Sequence, residues 1–389
     1  SRPGKIVEFK FENSILNLIT EETGMKRREF IKWVGMGATL LPTSTTILAQ
    51  SLIPNKWRGY RLTYQITLPP QGKQAHLWLP LPDSVDTPHQ LIQGSVWNGT
   101  TKAGKFFTLP KTDTHVFHAE WQGFSERTVT VSSIVKTADR KVDLRFYTPS
   151  AKSSYPENIK RFLQPTQHIA IDGAIRKLAD SITKKEEIRS PLNKARAIYD
   201  WVIDHSQFDK NIRGVGKGDI KQITTNDPML GKSADISALF VALARAAGIP
   251  TRQQFGLRID ESAIHHDLGK LGNITTAQHC RAEFFLAELG WIPVDPAEVC
   301  EVIALENLAE QPEKIAALKD RLFGSWEMNW IALNDGEDVN LSHGKLTTKL
   351  PFFVYPHALI DGETIDSLNS NEFSYKITSA LLVGTGGKF

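Results

Sequence analysis

The stretch Gly231–Gly248, GKSADISALFVALARAAG, constrains the chain more than any other. Ile236, Leu239, Phe240, Leu243 and Ala247 recur at helical spacing, which predicts a helix with a buried face. Ser233 and Asp235 stand at its start, where side-chain oxygens satisfy free backbone N–H groups. Gly248 followed by Ile-Pro ends it. A hydroxyl in the first turn of a buried helix sits where the dipole favours negative charge and where free N–H groups can receive an oxyanion. That placement suits acyl transfer. Asp235 reads as a helix cap.

Two later segments fit the same chemistry. QHCRAEFFL (Gln278–Leu286) is a strand-like run carrying His279, and WIPVDP (Trp291–Pro296) is a second run ending in Asp295. Glu288-Leu289-Gly290 between them predicts a hairpin that sets His279 and Asp295 nearly opposite each other. Helix-start Ser233, strand His279 and next-strand Asp295 form a nucleophile–base–orienter set. The Ser233 N–H is the first oxyanion donor, and Gln278 and Trp201 are candidates for the second or for the cleft wall. Cys280 follows His279 directly, so it faces the opposite way and reads as a small buried hydrophobe. Cys300 reads as packing, with a Cys280–Cys300 disulfide as the alternative.

These residues carry a resemblance. GKSADISALFVALARAAGIPTR (Gly231–Arg252), QHCRAEFFLAELGWIPVDPAEV (Gln278–Val299) and, upstream, RGVGKGDI (Arg213–Ile220) resemble, in order and spacing, the bacterial transglutaminase-like superfamily, whose core is papain-like. The resemblance implies an α+β fold: an N-terminal β-sandwich-like domain, then a core of helices packed on an antiparallel sheet. It implies acyl transfer or hydrolysis at peptide or isopeptide amides, with a peptide or protein substrate and no cofactor or metal. His279 and Asp295 match the family's His and Asp, whereas Ser233 stands where the family has cysteine. A serine hydroxyl forms no stable alkoxide, so the base must take its proton during attack. Three readings of Ser233 follow: a substituted thiol enzyme, an inactive variant that binds peptide or assembles cell envelope through the same cleft, and a working serine nucleophile.

A chain of 389 residues suggests more than one domain. Its net charge of +3 is small and shows no concentrated basic face, which argues against nucleic acid. Residues 1–24 contain no methionine and read as an extension. Residues 25–50, MKRREFIKWVGMGATLLPTSTTILAQ, resemble a twin-arginine export signal around Arg27-Arg28, implying a periplasmic protein. Pro42 and several Thr and Ser make the segment a poor permanent membrane span. Residues 55–150 predict the sandwich-like domain: Tyr60, Leu62, Tyr64, Ile66 and Leu68 alternate with polar residues, and His76–Leu81, Thr128–Val135 and Val142–Tyr147 continue the strands. After a turn-rich Thr148–Pro156, residues 155–389 predict the core. Asp172–Ile182 reads as a helix, and Ser190-Pro191 starts another carrying Trp201 and His205. Trp326, Trp330 and PFFVYP (Pro351–Pro356) predict further strands of its sheet. Two decoys are set aside. RGVGKGD and Gly231-Lys232-Ser233 lack phosphate-loop spacing, since Asn226 occupies the earlier glycine position. IHHD (Ile264–Asp267) lacks further ligands at helical spacing, which argues against zinc there.

Overall fold

Alternating apolar residues build the first layer. In β1 (Arg58–Leu68), Tyr60, Leu62, Tyr64, Ile66 and Leu68 are all buried, as their period of two requires. β2 (Gln74–Pro80), β3 (Gln90–Gly99), β4 (Lys105–Thr108), β5 (His115–Gln122) and β6 (Arg127–Thr137) follow. This computed structural model describes residues 56–83, 87–110, 112–149, 155–223, 228–344 and 346–382; the extension and export-signal segments read above lie outside them. Val142–Tyr147, expected as a strand, is instead a 3₁₀ turn over Leu144–Phe146. The Asp143 carboxylate accepts the Arg145 N–H and pairs with its guanidinium, which closes the turn locally.

Helices then alternate with a second set of strands: α1 (Ala174–Thr183), α2 (Pro191–His205), α3 (Ser233–Ala246), β7 (Thr251–Arg258), β8 (Gln278–Leu286), β9 (Gly290–Val294), α4 (Pro296–Leu305) and α5 (Pro312–Arg321). The Ser190 hydroxyl accepts the Asn193 N–H at 3.1 Å, with Pro191 in the first turn of α2. The C-terminal strands are β10 (Trp330–Asn334), β11 (Glu337–His343), β12 (Leu346–Phe352), β13 (His357–Ile360), β14 (Glu363–Ile365) and β15 (Ser374–Leu381).

These strands form three main antiparallel sheets. The first runs β15-β1-β6-β3, the second β14-β13-β2-β5-β4 and the third β9-β8-β7-β10. Of the C-terminal strands, β10 joins the third sheet, while β13 and β15 pair with β2 and β1 at the start of the chain. The PFFVYP run ends β12, which among the described residues pairs with β11 alone, as a hairpin. Leu62, Leu77, Phe117, Val131 and Ile377 fill the space between the first two sheets, and Phe255, Cys280 and Ile331 of the third sheet join the same core.

On the third sheet sits α3. The spacing predicts one buried face; in the structure all its residues are buried. The sheet covers one side and α1, α2 and α4 cover the others, so Ile198, Tyr199 and Val202 of α2 and Val299 of α4 pack with Leu239, Phe240 and Leu243. A helix apolar all round is stable only when enclosed in this way. Enclosure fixes the direction of the α3 N-terminus, and with it Ser233. Among the described residues, no helix is long and apolar enough to cross a membrane.

Candidate functional site at the start of the central helix

Lys232 is the residue before the helix, and Ser233 is its first residue. Asp235, in the third position, accepts the Lys232 N–H at 3.1 Å and so caps the helix. It also accepts the N–H groups of Lys217 and Gly218, both at 2.9 Å. The Arg213–Asp219 loop is thereby wrapped around the helix start. Gly216 makes this possible: its φ is +94°, and a Cβ there would lie 1.7 Å from Asp235 Oδ2. Its glycine serves close backbone approach to a carboxylate, not to a phosphate. Val215 O takes the Ala234 N–H at 2.9 Å, and the Val215 N–H donates to the Tyr355 hydroxyl at 2.7 Å. Among the described residues no acceptor takes the Ser233 N–H, which is left as a backbone donor at the positive end of α3.

His279 and Asp295 meet, though by a route other than expected. Ala282 pairs with Val294, so the register sets Asp295 level with Arg281, and it lies just beyond the end of β9. It is the cap of α4, accepting the Glu298 N–H through Oδ1 at 2.8 Å. Its Oδ2 reaches His279 Nε2 at 2.8 Å and receives Arg281 Nε at 3.0 Å. Arg281 also reaches Glu298 at 3.2 Å, while Arg258 pairs with Glu301 at 2.7 Å and passes His279 Nε2 at 3.4 Å. The shorter contact decides the tautomer assigned to the ring: Nε2–H donates to Asp295 and Nδ1 keeps its lone pair. Burial, reinforced by Arg258, holds the His279 pKa well below its ordinary value. Burial also raises the Asp295 carboxyl, while Arg281 works in the opposite direction. One ligand atom each from His279, Asp295 and Glu298 lie within 4.8 Å of one another. The guanidinium groups of Arg281 and Arg258 already lie on that cluster, so a metal cation would face two fixed positive charges.

Strand alternation separates the third member of the expected set. Cys280, not His279, turns toward α3: its carbonyl accepts from the Ser237 hydroxyl at 3.2 Å, and its thiol lies within reach of the Ser233 hydroxyl. The hydrogen bonds of the described residues include none between Ser233 and His279. The imidazole is thus anchored one residue along from the residue that Ser233 touches. Burial raises the Cys280 thiol. Both cysteines are free, so the alternative of a disulfide is not realised; Cys300 sits against the carbonyls of Ile203 and Ser206.

Of the two candidate wall residues, Gln278 lines a cavity of about 400 Å³ together with Lys232, Val215, Thr275 and Tyr355. The cavity therefore reaches the residue preceding Ser233 and the residue preceding His279. The Gln278 amide is engaged, donating to the Thr275 carbonyl at 3.2 Å. Trp201 does not line this cavity; its ring stacks on His205 at 4.1 Å. His265 of the IHHD run pairs with Glu306 at 2.6 Å. Arg258, Arg281, Glu298 and Glu301 were not singled out from the sequence. The signal for Arg281 was present, because charge at every second position of an otherwise apolar strand marks a polar face. Arg258 ends β7, and Glu298 and Glu301 lie together on α4, where charges at a strand end or on a helix read as solvent-facing.

Residues 176–296 match the profile of the Transglutaminase-like superfamily. An uncharacterized protein of Haemophilus influenzae is 33% identical over 336 residues, covering 82% of this chain and 90% of that one. The crystal structure of a "putative cysteine protease" from Cytophaga hutchinsonii superposes with a TM-score of 0.50 at 15% identity, covering 86% of this chain and 93% of the other. The periplasmic domain of TgpA from Pseudomonas aeruginosa aligns over 69% of this chain and 95% of its own at 15% identity, with a TM-score of only 0.31.

Proposed function

Because this chain belongs to one family with the Haemophilus influenzae protein and carries a transglutaminase-like superfamily domain, whose fold supports a peptidase or acyl-transfer class, we propose that its cleft binds peptide or protein amides at the start of α3. Ser233 occupies the nucleophile position; His279, held by Asp295 on the adjoining strand, becomes its base once the imidazole is brought to the Ser233 side. The observation that carries this reading is the coincidence of a Ser233 N–H with no acceptor among the described residues, at a buried helix start, with a His279–Asp295 pair anchored on the adjoining strand. The donor would receive the amide oxygen as it gains charge. The Nδ1 lone pair of His279 would accept the nucleophile's proton.

With serine at this position the site binds faster than it turns over. The hydroxyl has no thiolate-like resting state, and at rest it meets Cys280 rather than the imidazole. Export by the Arg27-Arg28 segment to the periplasm belongs to the same proposal. Binding of a glutamine-containing peptide, followed by fluorescence anisotropy, tests it. Tyr355→Ala, which removes a cavity wall and the Val215 anchor, should weaken binding at least tenfold while Trp201→Phe leaves it unchanged. Equal binding by all three proteins would place the peptide elsewhere. The second reading, a cell-envelope assembly protein, would be favoured by partner capture that survives Tyr355→Ala.

A further inference from the structure

A second polar cluster lies on the outer face of the sandwich, remote in sequence from the site above. His76 on β2 and Glu120 on β5 are direct cross-strand partners, and His118 lies diagonally on the same face. His343, the last residue of β11, comes over them from the β11–β12 hairpin: its Nε2 is 3.2 Å from Glu120 Oε2, and its ring stacks on His118 at 4.4 Å. One ligand atom each from His76, Glu120 and His343 lie within 4.8 Å of one another. His76 Nδ1 is held by His118 Nε2 at 3.2 Å, which leaves Nε2 as its ligating nitrogen. That Nε2 has no hydrogen-bond partner although His76 is 1% exposed. An unpaired buried nitrogen is costly, and a ligand on it removes the cost. Gln122 Nε2 donates to the other Glu120 oxygen at 2.6 Å and so turns the carboxylate.

We infer that His76, His343 and Glu120 form a binding site for a divalent transition-metal ion, with zinc the best fit. Two imidazoles and one carboxylate suit zinc, with a fourth position open to water. His118 and Gln122 are the outer partners that fix the ring and carboxylate orientations, as such sites require. The His343 side chain is 32% exposed, which gives an ion a route in. A bound ion would pin the β11–β12 hairpin onto the sandwich.

Tag-free full-length protein, stripped with chelator, should take up one equivalent of Zn²⁺ by calorimetry and elemental analysis, and its melting temperature should rise with added Zn²⁺. Co²⁺ should give the visible absorption of a tetrahedral site. His343→Ala, at a partly exposed hairpin end, and Glu120→Gln should each weaken Zn²⁺ binding at least tenfold, by the scale at which even outer-sphere changes act. His279→Ala should leave it unchanged. Zinc uptake that persists in both His343→Ala and Glu120→Gln, or that vanishes in His279→Ala, overturns the assignment, as does no uptake by the unaltered chain.

Discussion

Asp295 performs three tasks with two oxygens. Oδ1 caps α4, and Oδ2 holds His279 and receives Arg281. It is fully buried, so Asp295→Ala strands Arg281 and loosens the imidazole at once. Breaking one partner of a buried pair costs about 3–5 kcal/mol, mostly from the charge left behind. Urea unfolding of Asp295→Ala should show that loss, and Asp295→Asn, which keeps the shape, should lose less. A loss under 1 kcal/mol would mean that Arg281 has ample alternative partners. At this scale the sequence was informative where chemistry repeats in a known order. That His279 and Asp295 would meet could be read from their spacing. That Ser233 would touch Cys280 could not, because the approach of a helix start to a strand depends on which face of the strand the helix covers.

Arg127 shows how single elements are joined. Its guanidinium donates to the carbonyls of Pro69, Gln71, Gly72 and Gly123, at 2.5–2.9 Å, and is 1% exposed. It thereby ties the turn after β1 to the turn after β5, closing one end of the sandwich. Arg127→Met leaves those carbonyls without a donor in a place water reaches poorly, and should cost about 3 kcal/mol in chemical denaturation. A near-neutral outcome would show that water replaces it. The strands themselves were legible from alternation, β1 above all. Arg127 was not, because an arginine at a strand start reads as solvent-facing until the neighbouring turns fold over it. Val142–Tyr147 departs from the expected strand for a related reason: its apolar alternation is outweighed by an aspartate placed to cap its own turn.

Across the described residues, the first and last strands build the sandwich together, since β15 pairs with β1 and β13 with β2. Such non-local pairing leaves no trace in periodicity, so the sequence divided into successive segments what the structure interleaves. The molecule also buries neutral histidines, which sets its acid response. Burial pushes His357 down to about 4 and holds His279 well below its ordinary value. In the unfolded chain both titrate near pH 6.5. Between those values the unfolded state binds protons that the folded state refuses, so stability is full above about pH 6.5 and falls as the pH drops, by up to about 1.4 kcal/mol per unit per group. Glu283, held well below the carboxylate range by Arg140 and Arg252, adds its own loss only at lower pH, once the unfolded carboxylate protonates near about 4.3. Urea midpoints measured from pH 7 to pH 5 should therefore decline, and His357→Gln should flatten part of that decline. A flat profile would contradict the neutral assignment.

The start of α3 is the proposed nucleophile position, occupied here by a hydroxyl. Intact-mass labelling of Ser233→Cys with iodoacetamide under native conditions, across pH, tests it most directly. A single fast adduct is expected, with an apparent thiol pKa below about 8.5, as a helix N-terminus produces. His279→Ala should slow the adduct, and the unaltered chain, whose two thiols are buried, should gain none. A Ser233→Cys thiol that labels no faster than an ordinary cysteine, with or without His279, would contradict it.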